Sequence, residues 1–156
     1  MVDLGYNYRL TDFQCALGIS QLRKLPGWIR RRQEIARRYD EALAGMAGVA
    51  PLAVRPEVSH AYHLYMMQLD PAAGGDKRAV IFQALRAEGL GVNVHYIPVH
   101  LHPFYRRTFG TGPGLCPVAE AAYERLITLP IFPRMSSEDV EYVIAAVRRA
   151  LGHYLS

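Results

Sequence analysis

The sequence predicts an α+β fold, with helices packed on a small mixed or antiparallel sheet and two further helices ahead of it. Three observations lead there. Apolar residues recur at helical spacing in some segments and in short runs between turn signals in others. Two capping boxes mark helix starts, one toward each end of the chain. A chain of 156 residues with 51% hydrophobic content is long enough to bury one sizeable core.

The elements follow in order. Thr11 and Gln14 have capping-box spacing, and Ala16, Leu17, Ile19, Ser20 and Leu22 form an apolar, small-residue face. That helix is expected to end near Leu25. Pro26 suits the first turn of a second helix through Trp28, Ile29, Ile35, Ala36, Tyr39 and Leu43 toward Gly45. Residues 49–59 hold two prolines, Pro51 and Pro56, and read as a short strand plus loop. His60 to Asp70 reads as a buried strand, closed by the turn signal PAAGGD. Asp76 can cap a helix carrying Val80, Ile81, Ala84 and Leu85, and Gly89 can end it in the left-handed conformation. A strand from Leu90 to Ile97 is expected next. Pro98 to Pro117 is a long loop rich in Pro, Gly, His and aromatics, with a short helix at Pro103 to Thr108. Val118 to Arg125 reads as a helix and Leu126 to Leu129 as a strand. Ser136 with Asp139 opens the last helix, whose apolar face holds Val140, Val143, Ile144, Val147 and Leu151. The expected division is residues 1–48 as a leading segment with its helices and 49–156 as the α+β domain.

Composition narrows the function classes. The formal charge is +4, carried by 16 Arg and only two Lys, Lys24 and Lys77. Clusters at Arg30 to Arg32 and at Arg37 and Arg38 admit an anion- or nucleic-acid-binding face. A solvated helix face accounts for them more simply, and no RNA- or DNA-binding motif accompanies them. Cys15 and Cys116 show no pairing pattern, which suits a reducing cytoplasm. No apolar run approaches membrane-spanning length. The expectation is therefore a cytoplasmic protein with neither a membrane nor a nucleic-acid partner.

Two segments carry chemistry. VHYIPVHLHPFY brings His95, His100 and His102 close to Tyr96 and Tyr105. Packed loop histidines, a metal site and a pocket for a polyhydroxylated ligand are all open readings, and the absence of nearby carboxylates in sequence argues against metal. Asn7 and Arg9 flank Tyr8 just before the first helix, where free amides and the helix dipole favour an anion. A surface contact is the plainer reading. No nucleophile elbow, phosphate-binding glycine loop or catalytic triad is present, so no residue is assigned as catalytic.

The segments LGYNYRLTDFQCALGISQLRKL, GLGVNVHYIPVHLHPFYRRTFG, CPVAEAAYERLITLPIFP and SSEDVEYVIAAVRRAL together resemble the DegT/DnrJ/EryC1/StrS sugar aminotransferases. The resemblance spans essentially the whole chain and implies the carboxy-terminal small domain of the pyridoxal-phosphate-dependent transferase fold, with interdomain helices ahead of it. GYNYRLTDFQCALGISQL with HYIPVHLHPFY looks closest to the branch that forms a UDP-linked 4-amino-4,6-dideoxy sugar on the way to pseudaminic acid. That implies amino transfer from L-glutamate to the 4-keto carbon of a nucleotide sugar. It also implies a homodimer, with Asn7 reaching the cofactor phosphate of the other subunit. Arg9, His95, Tyr96, His100 and Phe109 match substrate-facing positions. The family's cofactor-anchoring lysine lies in a Ser-x-His-x-x-Lys segment upstream of the GYNYR wording, and neither Lys24 nor Lys77 matches it. The resemblance thus implies that pyridoxal phosphate is not held covalently by this chain. A separate amino-terminal half would be needed for transamination.

Overall fold

A computed structural model describes residues 4–74 and 77–155. The chain begins with a long helix, α1 (Asp12–Leu43). Strand β1 (Val49–Pro51) and strand β2 (Tyr65–Leu69) follow, then one helical turn, α2 (Pro71–Gly74), and helix α3 (Arg78–Ala87). A 3-10 turn at Val99–Leu101 leads into α4 (Pro103–Phe109) and α5 (Pro117–Tyr123). Strand β3 (Leu126–Leu129) and helix α6 (Ser137–Tyr154) close the order.

The sheet is antiparallel throughout, in the order β1-β2-β3. Val49 pairs with Leu69, and Tyr65, Met67 and Gln68 pair with Leu129, Ile127 and Leu126. Because side chains alternate across a strand, this register puts Tyr65, Met67, Leu69, Ile127 and Leu129 on one face. All five are buried. Helices α1, α3 and α6 add Ile35, Tyr39, Ile81, Leu85, Val140, Val147 and Leu151, and connecting segments add Leu90, Val92, Ile131 and Met135. The result is two layers, helices on a three-stranded antiparallel sheet, as the sequence predicts.

Both capping boxes form. The Thr11 hydroxyl accepts from the Gln14 amide while Gln14 Oε1 accepts from the Thr11 amide, and Ser136 and Asp139 repeat the arrangement. Gly89 takes a φ of +80° beyond α3, a conformation glycine adopts without a Cβ clash. The expected Asp76 cap lies outside the described residues.

Three expectations are corrected. The two helices expected to meet at Pro26 are one, with Pro26 inside it. Proline removes one i to i−4 hydrogen bond. Here the helix around it is largely exposed, so water can take the freed carbonyl. The carboxy-terminal half of α1 then packs in the same core as residues beyond 49. The strand expected over His60 to Asp70 is reduced to Tyr65–Leu69. Tyr62 adopts a positive φ of 47°, and its amide donates to His60 Nδ1, which turns the chain before pairing starts. The strand expected over Leu90 to Ile97 reduces to one antiparallel bridge, Asn93 with Thr128. The Asn93 side chain accepts from the Val94 amide, which competes with a ladder in the way Asn commonly does.

The arginine clusters also depart from the solvated-face reading. Arg32 Nη1 donates to the carbonyls of Tyr62, His63 and Ile131 at 2.9, 3.2 and 2.9 Å. Arg31 donates to the Met135 carbonyl at 2.7 Å, and Arg38 pairs with Glu141. Arg31 and Arg32 thus staple α1 to the loops around the sheet, and Arg38 ties it to α6. Burial lowers the Arg32 pKa from its ordinary value. Arg30 and Arg37 remain exposed.

Candidate functional site in the loop after the third helix

The segment leaving α3 passes along the outer edge of β3 before it reaches the 3-10 turn. Asn93 and Thr128 exchange backbone hydrogen bonds at 3.1 and 2.8 Å. Thr128 pairs with Met66 in the sheet register, so its side chain lies on the face opposite the core. Its hydroxyl is 2.9 Å from His95 Nδ1. Thr128 is buried and His95 is half-buried, so the contact orients the imidazole against the sheet. The remaining nitrogen, Nε2, makes no polar contact among the described residues. Tyr96 packs edge-on against His95, with ring centroids 4.5 Å apart, and is itself exposed.

His100 is placed differently. It is only 8% exposed, and its Nε2 is 2.8 Å from Glu120 Oε1. Its backbone carbonyl accepts from the Thr111 hydroxyl at 2.7 Å. The imidazole therefore ties the 3-10 turn to α5. Glu120 also accepts from the amides of Gly114 and Cys116. Those amides, led by Gly114, together with His100 hold its carboxyl below the usual glutamate range. Phe109 ends α4 in an exposed aromatic group, with its centroid 6.2 Å from Phe104 and 5.9 Å from Tyr105. Among the described residues no group of three His, Cys, Asp or Glu is disposed to hold a metal ion.

Asn7 and Arg9 lie in the exposed segment ahead of α1. Asn7 Oδ1 accepts from the Arg9 amide and from Arg9 Nε at 3.3 and 3.1 Å, and Tyr6 stacks on Tyr8. Neither side chain has a polar partner in the histidine loop. The structure thus gathers His95, Tyr96, His100 and Phe109 along one loop and leaves Asn7 with Arg9 on a separate arm. Around them Leu4, Tyr6, Tyr8, Leu10 and Phe13 are at least two-thirds exposed.

Sequence reading missed Thr128, Glu120 and Thr111. Thr128 is the one hydroxyl in LITL, and Glu120 follows Cys116 at one helical turn in CPVAE, so both had a local signal. Their partners, 33 and 20 residues away, had none. Grooves also lie elsewhere on the described surface. One of about 660 Å³ is lined by Arg30, Arg37 and the 54–60 loop, and one of about 470 Å³ is lined by Leu25, Trp28, Phe132 and Pro133.

The molecule is thus an α+β layer with a histidine- and tyrosine-bearing loop at its sheet edge. The sequence matches the DegT/DnrJ/EryC1/StrS aminotransferase family over residues 1–148, and the chain belongs to that family. It is 41% identical to the spore coat polysaccharide biosynthesis protein SpsC of Bacillus subtilis, over 92% of this chain and 37% of that protein. It is 40% identical to the uncharacterized protein MJ1066 of Methanocaldococcus jannaschii, over 96% of this chain and 39% of that protein. Among solved structures it superposes on Helicobacter pylori PseC, an aminotransferase of pseudaminic acid biosynthesis, with a TM-score of 0.87 and 28% identity. That match covers 97% of this chain and 40% of PseC. The pyridoxamine-phosphate form of the sugar aminotransferase Spr1654 from Streptococcus pneumoniae gives a TM-score of 0.88 and 34% identity, covering 99% of this chain and 38% of that one. The chain spans about two-fifths of the length of these relatives and corresponds to their carboxy-terminal portion.

The family's cofactor, pyridoxal phosphate, requires a lysine amine, a carboxylate beside the pyridine nitrogen and donors for the phosphate. Asn7 Oδ1 is taken by Arg9, which leaves Nδ2 as a neutral amide donor on the exposed arm. Lys77 does not fit the amine requirement, because its Nζ donates to the Tyr154 carbonyl at 2.7 Å. Lys24 lies on the exposed half of α1. The described residues therefore do not build a cradle for the ring.

Proposed function

We propose that this chain acts as the carboxy-terminal part of an aminotransferase that moves an amino group from L-glutamate to the 4-keto carbon of a 6-deoxy, UDP-linked sugar. The observation that carries this reading is the family match over nearly the whole chain, joined to a loop in which Thr128 orients His95 beside an exposed Tyr96. The imidazole and phenol are suited to hydrogen-bonding sugar hydroxyls. Phe109 offers an aromatic surface to the nucleotide or sugar, and Arg9 a cation to the diphosphate. His100 serves the same surface by holding the loop. Asn7 contributes to the cofactor phosphate, across a homodimer or toward an amino-terminal half supplied by another chain. That half brings the anchoring lysine and the pyridine carboxylate. The setting is cytoplasmic nucleotide-sugar metabolism.

The chain alone is expected to show no transamination. Treatment with pyridoxal phosphate followed by borohydride, read by peptide mass spectrometry, should label neither Lys24 nor Lys77 at a defined stoichiometric position. Adding an amino-terminal aminotransferase half in trans should restore amino transfer from glutamate. A stoichiometric label on one lysine of the isolated chain, with turnover, overturns the reading.

A further inference from the structure

The excursion from Gly110 to Cys116 leaves α4 and returns to α5 with little apolar packing: Val118 and Leu115 are exposed, as are Phe104 and Phe109. Its shape is held by polar contacts converging on one side chain. Both oxygens of Glu120 receive the Gly114 amide at 2.9 Å, and Oε1 also receives the Cys116 amide at 3.2 Å. From the opposite side comes the buried imidazole of His100, 2.8 Å away. Thr111 closes the same ring from the other end by donating to the His100 carbonyl. Gly110 and Gly114 have φ of 64° and 89°, which lets the backbone aim its amides inward.

We propose that Glu120 is a positioning residue for the sugar-facing loop. Its carboxylate clamps His100 and the Gly114 and Cys116 amides together, and so sets where the segment from Tyr96 to Phe109 stands relative to β3. The proposal rests on the reading that this loop faces a nucleotide sugar. A carboxylate suits the task because it is acceptor-only and can receive three donors at once, with hydrogen bonds stronger than those of a neutral acceptor. Glutamine at this position would turn an NH₂ toward the amides or toward the imidazole. Of titratable groups, His100 faces the carboxylate from across the loop, and the other facing donors are backbone amides.

The test uses the full chain, isotopically labelled, as wild type, Glu120→Gln, Glu120→Asp and His95→Ala. Hydrogen exchange at Gly114 and Cys116 is compared with the Leu69 amide, which sits in the sheet. The pH profile of the Gly114 amide shift is followed through the acid range. UDP-N-acetylglucosamine is titrated as the probe while signals from Tyr96 and Phe109 are observed. Glu120→Gln should speed exchange at Gly114 and Cys116 by about tenfold or more, from the loss of hydrogen bonds to a charged acceptor. Leu69 should be unaffected, the acid transition of Gly114 should disappear, and probe affinity should fall. Glu120→Asp should recover part of each effect. Unchanged loop exchange with an unchanged pH profile overturns the clamp. A loosened loop with unchanged probe affinity also overturns the positioning role, leaving a purely structural one. If wild type and His95→Ala both give no probe response, the functional reading fails for the isolated chain, and the exchange and pH results then decide the clamp by themselves.

Discussion

Replacing Pro26 by alanine tests whether the leading half of α1 is helical without tertiary support. From Asp12 to Leu25 the helix extends roughly 20 Å at 1.5 Å per residue, and nearly every residue along it is exposed. Only from Ile35 onward do its side chains enter the core. A helix that short is marginal by itself in water. Pro26 further weakens its connection to the anchored half, since proline costs about 3 kcal/mol relative to alanine in a helix interior. Gly18 and Gly27 add about 1 kcal/mol each. Pro26→Ala should therefore stabilise the arm by up to about 3 kcal/mol. At 1.4 kcal/mol per factor of ten, amide exchange over Asp12 to Leu25 should slow by up to roughly a hundredfold. The anchored amides of Ile35 to Leu43 and the melting temperature should hardly change, because the arm buries nothing. The assay is hydrogen exchange by mass spectrometry at two protein concentrations, with far-ultraviolet dichroism reporting added helix. Wild-type arm amides as protected as those of Ile35 to Leu43, independently of concentration, would refute the reasoning.

Three further outcomes follow from the core and its polar contacts. Ile127→Ala, at a fully buried position of β3, should cost about 2–5 kcal/mol, read from urea unfolding, and lower the melting temperature by about 2–4 °C for each kcal/mol. Tyr65→Phe removes a 2.7 Å donation to Asp40 Oδ1 and should cost about 1.5–3 kcal/mol, whereas Tyr39→Phe removes a donation to the Pro130 carbonyl and should cost about 1 kcal/mol. Burial, ahead of the Asp40 hydrogen bond, raises the Tyr65 phenol far above its ordinary pKa of 10.0. Its contribution is therefore complete below about pH 10 and lost as pH rises beyond it, and Tyr65→Phe should flatten that alkaline limb. Glu88 is held below its ordinary value by its hydrogen bond to Arg149. Any stability it lends is present above the ordinary glutamate range and lost as pH falls through its lowered pKa. Glu88→Gln should flatten the acid limb in low salt and have less effect in high salt, because the pair is surface-accessible and screened.

The parts of the fold that were legible in sequence are those set by neighbours a few residues apart. Thr11 with Gln14 and Ser136 with Asp139 close their capping boxes within one turn, so each helix start could be read directly. Gly89 is a local solution to a left-handed turn. The misread elements turn on details that pattern and propensity do not carry. Pro26 looks like a helix start when only propensity is weighed, yet the packed half of α1 extends back through it. The residues around His60 and Asn93 have strand-like composition, but local hydrogen bonds from His60 and Asn93 remove them from the ladder. Arg31, Arg32 and Arg38 read as a wet helix face, although their partners are carbonyls and a carboxylate about 30 to 100 residues away.

The candidate site divides along the same line. The segments VHYIPVHLHPFY and GYNYR were enough to mark the aminotransferase family, while their residue types left packed histidines, a metal site and a ligand pocket open. They could not say which histidine is available to a ligand. Tertiary structure separates the two: Thr128 orients His95 and leaves its second nitrogen without a polar contact among the described residues, while Glu120 takes His100 into the fold. Two chemically identical side chains five positions apart thus acquire different tasks, because one meets a hydroxyl on β3 and the other a carboxylate on α5. Sequence alone set the chemistry on offer through local spacing and residue type; only the long-range pairing of loop, strand and helix determined which groups remain to use it.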